Sequence, residues 1–344
     1  MIKVGIVGAT GYAGCELVRL LNAHPEAEVV AVSSVSFEGK ALSEVYPSYL
    51  DINDMVCESA DEVVSKSDVV FAALPHGLSQ ELAADCVKNN VKFIDLGADF
   101  RLESEDEYKE WYGGSFLDKS LHEESVYGLP EFFRDDIKGK RIIANPGCYT
   151  TCSPLALAPA VKNGLVELKG IICNCASGVT GAGRKPSQGS HYPELNEGFH
   201  AYKAGCHRHT PEIEQTLSRL SGEKVTITFV PHLLPVNRGI LATCYADVKE
   251  GVTYEQIRKA YEEFYRDEYF VRLLPDGMYA DIHNIKYSNY CDISLHFDSR
   301  AGKLIACAAI DNMVKGAAGQ AIQNMNIIFG LDEKTGLMIT PPAF

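Results

Sequence analysis

The sequence predicts an α/β protein built from two domains, and three observations carry that prediction. The first is a β-branched apolar run, Ile2–Val7, followed at once by a glycine turn and a helical pattern. The second is repetition: short apolar strands go on alternating with helices, the signature of a parallel sheet with helices on both faces. The third is a change of texture after about Cys148, where longer strands follow one another with few helices between. That texture implies a mixed or antiparallel sheet, hence a second, α+β domain. A chain of 344 residues has room for both, at roughly 100–200 residues per domain.

Each element has its own reason. Ile2–Val7 is a buried strand, and a helix follows over about Gly11–Asn22, with Leu17, Leu20 and Leu21 on one face. His24-Pro25 stops it, and Val29–Val32 is the next strand. Asp68–Leu74 is a strand that ends at Pro75-His76-Gly77; Leu78–Lys88 is helical, and Lys92–Asp95 and Arg141–Ala144 are further strands. Beyond Cys148 the pattern predicts a helix over Ser153–Val161 and strands over Gly170–Ala176, Val225–Val230, Ile240–Val248, Ile293–Phe297 and Lys303–Ile310. Helices are expected at Pro211–Leu220, Thr253–Tyr265 and about Asn312–Ile328; Gly316 and Gly319 permit close packing of the last, at about 1 kcal/mol of helix propensity each.

Composition narrows the function. Hydrophobic residues make up 46% and charged residues 23%, as in a soluble globular enzyme and unlike a disordered chain. No apolar run approaches the roughly 20 residues that span a bilayer. The chain opens directly on a core strand, so no secretory signal is expected. Eleven cysteines without a C-x-x-C pair point to reduced thiols in a cytoplasm. Neither Cys148/Cys152 nor Cys173/Cys175 has zinc spacing, so no metal is expected. The net charge of −14 disfavours nucleic acid and anionic membrane as partners, but leaves room for an anionic small substrate.

Five segments carry chemistry. Gly8, Gly11 and Gly14 form G-x-x-G-x-x-G between a strand and a helix, which brings backbone N–H groups to a diphosphate; Thr10, Tyr12 and Ala13 complete this Rossmann-like turn. The second strand ends in Ser33, Ser34 and Ser36, with Lys40 nearby, where an NAD site would place an acidic residue. Hydroxyls and a cation suit a 2′-phosphate, so the expected cofactor is NADP. Asn145-Pro146-Gly147-Cys148 lies between an apolar strand and an apolar helix, where the helix dipole favours a thiolate nucleophile. A thiol paired with a nicotinamide nucleotide implies acyl-group redox through a thioester. His207-Arg208-His209 precedes a helix start, with Thr210 as its expected N-cap and Glu212 and Glu214 in its first turn. If extended, His207 and His209 share a side, and either serves as acid/base; the sequence leaves the choice open. Last, Gly178–Pro186 presents Gly178, Arg184 and Lys185 as a flexible anion-binding loop.

Together these segments resemble the N-acetyl-γ-glutamyl-phosphate reductase family, within the wider semialdehyde-dehydrogenase group. The resemblance runs over essentially the whole chain. It covers the Gly8–Gly14 turn, Leu74-Pro75-His76-Gly77, Asp95–Arg101, Tyr127–Glu131, Asn145–Tyr149, Ser177–Arg184 and His207–Ile213. It implies NADPH-dependent reduction of an acyl phosphate to a semialdehyde, with release of phosphate, in arginine biosynthesis. Cys148 takes the nucleophile's place and His207/His209 the acid/base place. Arg101, Ser177, Gly178, Arg184, Lys185 and Glu212 would contact substrate, and Pro75, His76, Gly77 and Asn312 would border the nicotinamide. The resemblance also returns the C-terminal helix to the nucleotide domain. That gives residues 1–147 plus 312–344 for the NADP-binding domain and 148–311 for a catalytic and dimerisation domain, in a homo-oligomer (dimer or tetramer). Three rival readings share parts of this pattern: a carrier-bound aminoadipyl-phosphate reductase of lysine synthesis, a glyceraldehyde-3-phosphate-type dehydrogenase, and a non-catalytic NADP-binding redox regulator.

Overall fold

The computed structural model describes residues 1–344. The chain forms two compact units, Met1–Gly147 with Ala317–Ile339, and Cys148–Gly316 with Thr340–Phe344.

The first unit is built on seven parallel strands: β1 (Ile2–Val7), β2 (Ala27–Ser33), β3 (Cys57–Glu58), β4 (Val69–Ala72), β5 (Lys92–Asp95), β6 (Val126–Tyr127) and β7 (Ile142–Ala144). Their order is β3-β2-β1-β4-β5-β7-β6, and every pairing is parallel. The order reverses between β1 and β4, which is where an open parallel sheet leaves a crevice at its carboxyl edge. β4 and β7 are buried at every residue, so they read as continuous apolar runs without alternation. The Tyr12–Leu21 helix starts one residue later than the sequence suggests, because Gly11 is extended at φ −74°, ψ 163° and acts as its N-cap. The closing helix differs more. Only Gly319–Ile328 is α-helical, and a π-helical turn over Val314–Ala318 precedes it. Asp311 explains the interruption. Its carboxylate accepts the N–H groups of Met313 (2.8 Å) and Val314 (3.2 Å), and its carbonyl accepts that of Gly316 (3.0 Å).

The second unit holds β8 (Ile171–Gly178), β9 (His200–Ala201), β10 (Ile227–Leu234), β11 (Ile240–Asp247), β12 (Val271–Leu273), β13 (Cys291–Asp298) and β14 (Lys303–Ile310). The order is β12-β13-β14-β11-β8-β10-β9. β8 runs parallel to β10 and β12 to β13, while the other neighbours are antiparallel, so the sheet is mixed as expected. Burial alternates residue by residue along β11, the mark of a sheet with one covered face.

The Cys148–Lys162 helix is buried from Tyr149 to Val161 and starts at Cys148 itself, five residues before the apolar pattern that announced it. Two prolines lie inside it. Pro159 has no N–H to give the carbonyl of Leu155, and the Tyr265 hydroxyl donates to that carbonyl instead, at 2.6 Å. Tyr261 donates to the next carbonyl, Ala156, at 2.6 Å.

Candidate active site

The glycine turn is shaped by close approach. Gly8 has φ +91°, and a Cβ there would stand 2.4 Å from the Ala73 carbonyl at the end of β4. At Gly14 a Cβ would stand 2.2 Å from the Gly8 carbonyl, so the helix packs directly onto the strand end. Gly11 is less constrained, with its nearest contact at 3.4 Å. The Ser33 carbonyl accepts the N–H groups of Gly8 and Ala9, both at 2.9 Å, which ties β2 to the turn. The Thr10 and Ser34 hydroxyls share a buried 2.6 Å hydrogen bond. Tyr12 and Ala13 open the helix, with Tyr12 exposed. Ser36 and Lys40 lie on the exposed segment beyond β2, and Lys40 pairs with Glu44 at 3.3 Å. Pro75–Gly77, which follow Ala73, lie with the glycine turn at the β1/β4 reversal, whereas the Lys40 carbonyl accepts the Cys57 N–H of β3 at 2.9 Å. A diphosphate fits a turn of this kind, because Gly8 and Gly14 let strand and helix pack closely and the helix starting at Tyr12 presents its N-terminus there.

Eleven free thiols can be sorted by environment. Burial pushes the thiols of Cys57, Cys86, Cys152, Cys175 and Cys307 up, Cys86 to about 12, and disfavours their thiolates. Cys244 is raised mainly by its hydrogen bond with Cys173, with burial second. Cys148 is only half-buried and is the first residue of its helix, where the partial positive charge of the N-terminus favours a thiolate. The π-helical turn passes against it: a Cβ on Gly316 would lie 2.8 Å from the Cys148 Cβ.

The histidine strip is not extended. Residues 208–209 form a turn, closed by the Thr210 N–H on the His207 carbonyl at 2.9 Å. The two rings nevertheless meet, with centroids 4.8 Å apart, because the turn folds them together. Thr210 is therefore not the N-cap. His209 precedes the Thr210–Ser221 helix in that position, and the Thr210 hydroxyl donates back to the His207 carbonyl at 2.8 Å. Tyr149, the neighbour of Cys148, stands edge-on to both imidazoles at 5.7 and 5.9 Å. Tyr202 and Phe229 enclose His207 further. Burial, with Arg208 and Lys203 nearby, pushes the His207 pKa down to about 4. Its Nδ1 accepts the His209 N–H at 3.1 Å, so its proton is on Nε2. Burial also pushes the phenols of Tyr149 and Tyr202 up, the latter to about 12, with Cys148 adding to both shifts. Glu212 is wholly buried and accepts the Thr150 hydroxyl at 2.5 Å, joining its helix to that of Cys148. Glu214 lies outside the first turn, where its carboxylate accepts the Ile227 N–H at 2.9 Å.

The remaining predicted residues take varied positions. Ser177 is buried at the end of β8, with its hydroxyl on the Gly178 carbonyl at 3.0 Å. Gly178 must lack a side chain, since a Cβ would stand 2.7 Å from the Asn237 carbonyl. Arg184 is half-buried and Lys185 exposed on the loop beyond. Asn312 is buried; its amide donates to Thr180 at 2.9 Å and accepts from the Gly239 N–H at 2.8 Å, so its side chain fastens that loop. Arg101 is also buried, and its guanidinium donates to the carbonyls of Asn145 and Leu96, both at 2.8 Å. Sequence reasoning missed Tyr149, Tyr202, Thr150 and Gly316 as site residues. Only Tyr149 and Thr150 carried a signal, their adjacency to Cys148.

A parallel sheet with a glycine cradle at its reversal, joined to a mixed-sheet unit whose buried helix opens on a half-buried thiol, is the architecture of a nicotinamide-dependent dehydrogenase. The semialdehyde dehydrogenase NAD binding domain matches residues 3–140, and the semialdehyde dehydrogenase dimerisation domain matches residues 148–312. Among its relatives, the chain is 55% identical to an N-acetyl-gamma-glutamyl-phosphate reductase of Clostridium beijerinckii over 344 residues, covering 100% of both chains. It is 52% identical to the one from Brachyspira hyodysenteriae, again over 100% of both. The chain therefore belongs to the N-acetyl-gamma-glutamyl-phosphate reductases of the semialdehyde dehydrogenase family. Its fold is shared with aspartate semialdehyde dehydrogenase II of Vibrio cholerae, with a TM-score of 0.72 at 16% identity, covering 95% of this chain and 98% of that one. The Candida albicans aspartate semialdehyde dehydrogenase with NADP gives 0.69 at 16%, with coverage of 95% and 98%. No helix is long and apolar enough to cross a membrane.

Proposed function

We propose that this chain reduces N-acetyl-γ-glutamyl phosphate to N-acetylglutamate 5-semialdehyde with NADPH, releasing phosphate, as a step of arginine biosynthesis. The observation that carries this reading is the position of Cys148, an accessible thiol opening a buried helix, with its neighbour Tyr149 against both histidine rings. The thiolate attacks the acyl carbon, the carbon–oxygen bond to phosphate breaks, and a thioester forms. NADPH, when bound, supplies the hydride that turns this thioester into a thiohemiacetal. The hemiacetal oxygen takes up a proton as the hydride arrives and gives it back as the carbon–sulfur bond breaks, which releases the aldehyde and restores the thiolate.

His209 moves that proton. It is half-buried beside Tyr149, whereas His207 stays neutral and uses Nδ1 to hold the turn. Glu212 fixes the helix that follows His209, and the Cys148 N–H faces the developing oxyanion. Ser177, Gly178, Arg184 and Lys185 form the anion-binding edge for the substrate. Arg101 serves it through the backbone carbonyls it holds. Residues 1–147 with the returning C-terminal helix bind nucleotide, and the Cys148–Asp311 segment supplies catalysis and the contact of a homo-oligomer in the cytoplasm. NADP is favoured over NAD because the end of β2 carries Ser33 and Ser34 and no carboxylate, with Ser36 and Lys40 exposed beyond.

The test runs the reaction backwards: NADP with N-acetylglutamate semialdehyde and phosphate. Phosphate-dependent formation of NADPH, lost in step with alkylation of one thiol, is the expected result. NADPH binding without turnover would favour the redox regulator instead.

A further inference from the structure

The Asp99-Phe100-Arg101 tripeptide touches none of the reacting groups named above, yet its two charged side chains reach two turns on which that chemistry depends. Asp99 is wholly buried. Its Oδ1 accepts the Gly77 N–H at 2.6 Å and the Tyr108 hydroxyl at 2.9 Å, and its Oδ2 accepts the Ser79 N–H at 2.9 Å. Gly77 closes the Pro75-His76-Gly77 turn after β4, in the left-handed conformation at φ +88°. The same carboxylate supports that turn from a second side. The Tyr108 ring stacks on Tyr112 at 5.4 Å, and Tyr112 packs against the His76 ring at 5.8 Å. Both the backbone and the side chain of the turn are thus referred to one carboxylate.

Two residues on, Arg101 donates Nε to the Asn145 carbonyl, at the head of the Asn145-Pro146-Gly147 turn that leads into Cys148. Phe100 lies between the two. It is buried, packs on Phe93 at 6.2 Å and stacks on His122 at 4.7 Å, so the tripeptide is anchored in the core. Beneath it, Asp95 accepts the Ser79 hydroxyl at 2.7 Å and the Gly97 N–H at 2.8 Å, and its Oδ2 is buried without a hydrogen-bond partner.

We propose that Asp99 and Arg101 are positioning residues: Asp99 sets the Pro75–Gly77 turn at the mouth of the nucleotide cradle, Arg101 sets the turn that carries the nucleophile, and one short stretch of backbone fixes the two turns against each other. This rests on the function proposed above for what the turns do. The charges matter. Ionised acceptors and guanidinium donors make the shorter, stronger hydrogen bonds, and a planar fork reaches two carbonyls where an ammonium acts as a point.

The test compares wild type with Asp99→Asn, Arg101→Lys and the milder Tyr108→Phe. An amide at position 99 turns an N–H toward Gly77 or Ser79, setting donor against donor. NADPH affinity should change less than about threefold, because the diphosphate cradle is elsewhere. Misplacement of the reacting groups should lower kcat about 10–100-fold in Asp99→Asn, with an unchanged KM for acyl phosphate and a larger isotope effect from 4-deuterated NADPH. Two readouts do not need turnover. The fluorescence anisotropy of bound NADPH should fall in Asp99→Asn and Tyr108→Phe, and the rate of Cys148 alkylation should change in Arg101→Lys. Wild-type kcat, isotope effect, anisotropy and alkylation rate in all folded variants would overturn the proposal. If Asp99→Asn does not fold, Tyr108→Phe decides. A wild type without acyl-phosphate turnover sinks the proposed function alone, and the anisotropy and alkylation comparisons still judge the positioning roles.

Discussion

The glycine turn after β1 and the Pro146–Cys148 turn after β7 both join a strand to a helix, yet they are held by different kinds of contact. The first is shaped mainly by close backbone approach, with the Tyr46 hydroxyl donating to the Thr10 carbonyl at 2.9 Å. Gly8 and Gly14 shape it by lacking side chains, and its longest reach is to β2 and β4. The second is clamped from far along the chain. Arg101 holds the Asn145 carbonyl, the Asn145 amide donates to the Ala317 carbonyl at 3.1 Å, and Asn324 donates to the Asn145 side chain at 3.1 Å. Gly316 then leaves room for Cys148 itself. A cradle for a flexible diphosphate tolerates local construction. The nucleophile proposed at Cys148 must meet an acyl carbon within a fraction of an ångström, and it gains from supports that cannot move independently.

The sharpest way to separate the two turns is to disable one chemically. Cys148→Ser should lower turnover by at least about 10⁴-fold, because the hydroxyl is a poor nucleophile near neutral pH. NADPH binding should persist, as titrated by fluorescence. Substantial turnover in this variant would end the thioester mechanism.

The two histidines come next. His209→Asn should lower kcat roughly 10²–10⁴-fold and remove one limb of the pH–rate profile. His207→Asn should leave that limb in place, since burial already keeps His207 neutral down to about pH 4. It should act through KM or stability instead. The reverse pattern of limbs would exchange the two roles.

Two glycines then test the comparison directly. Gly316→Ala places a methyl 2.8 Å from the Cys148 Cβ, and Gly14→Ala places one 2.2 Å from the Gly8 carbonyl. The first should lower kcat with NADPH affinity intact, and the second should lower NADPH affinity. Losses of about 10-fold or more are expected in each case, since backbone and Cβ contacts that short force a shift. Steady-state kinetics and fluorescence titration distinguish the outcomes. Gly11→Ala is the control, with ordinary φ and a 3.4 Å contact.

What the sequence made legible follows the same division. Parallel strands buried on both faces, such as β4, announce themselves as apolar runs, and β14 begins and ends at the residues its pattern indicated, Lys303 and Ile310. The glycine cradle was readable because its physics is local. The start of the Cys148 helix was read five residues late, because Pro154 and the small polar residues before it mask a helix whose stability comes from burial. Asp99 showed only as a charged residue in a motif, and Arg101 as a substrate contact that the resemblance implied; that both hold backbone of distant turns was not legible. A carboxylate that binds N–H groups 20 and 22 residues away leaves no periodicity to find. The extended geometry assumed for His207–His209 gave their proximity for the wrong reason, since a turn brings the rings together.

The smallest expected effect concerns acid stability, and its sign can be worked out group by group. Burial holds His207 and His122 near a pKa of about 4, against 6.5 in the unfolded chain. Between those values the unfolded chain binds protons that the folded one refuses. Their contribution is therefore full above pH 6.5 and is lost as pH falls toward 4. Asp95 works the other way: burial and neighbouring Asp99 raise it to about 6, so it holds a proton in the folded state that the unfolded carboxylate, near 3.8, has released. Its contribution improves as pH falls from 6 to 3.8. Burial also lowers His24 and raises Asp292, so three imidazoles oppose two carboxylates and Tm should fall between pH 6.5 and 4.5. Replacing His122 with Gln should flatten that fall, and Asp95→Asn should steepen it by removing an opposing group. Thermal melts of the three proteins at pH 7.5, 6.5, 5.5 and 4.5 measure the slopes, and parallel curves would show that these buried groups do not govern acid stability.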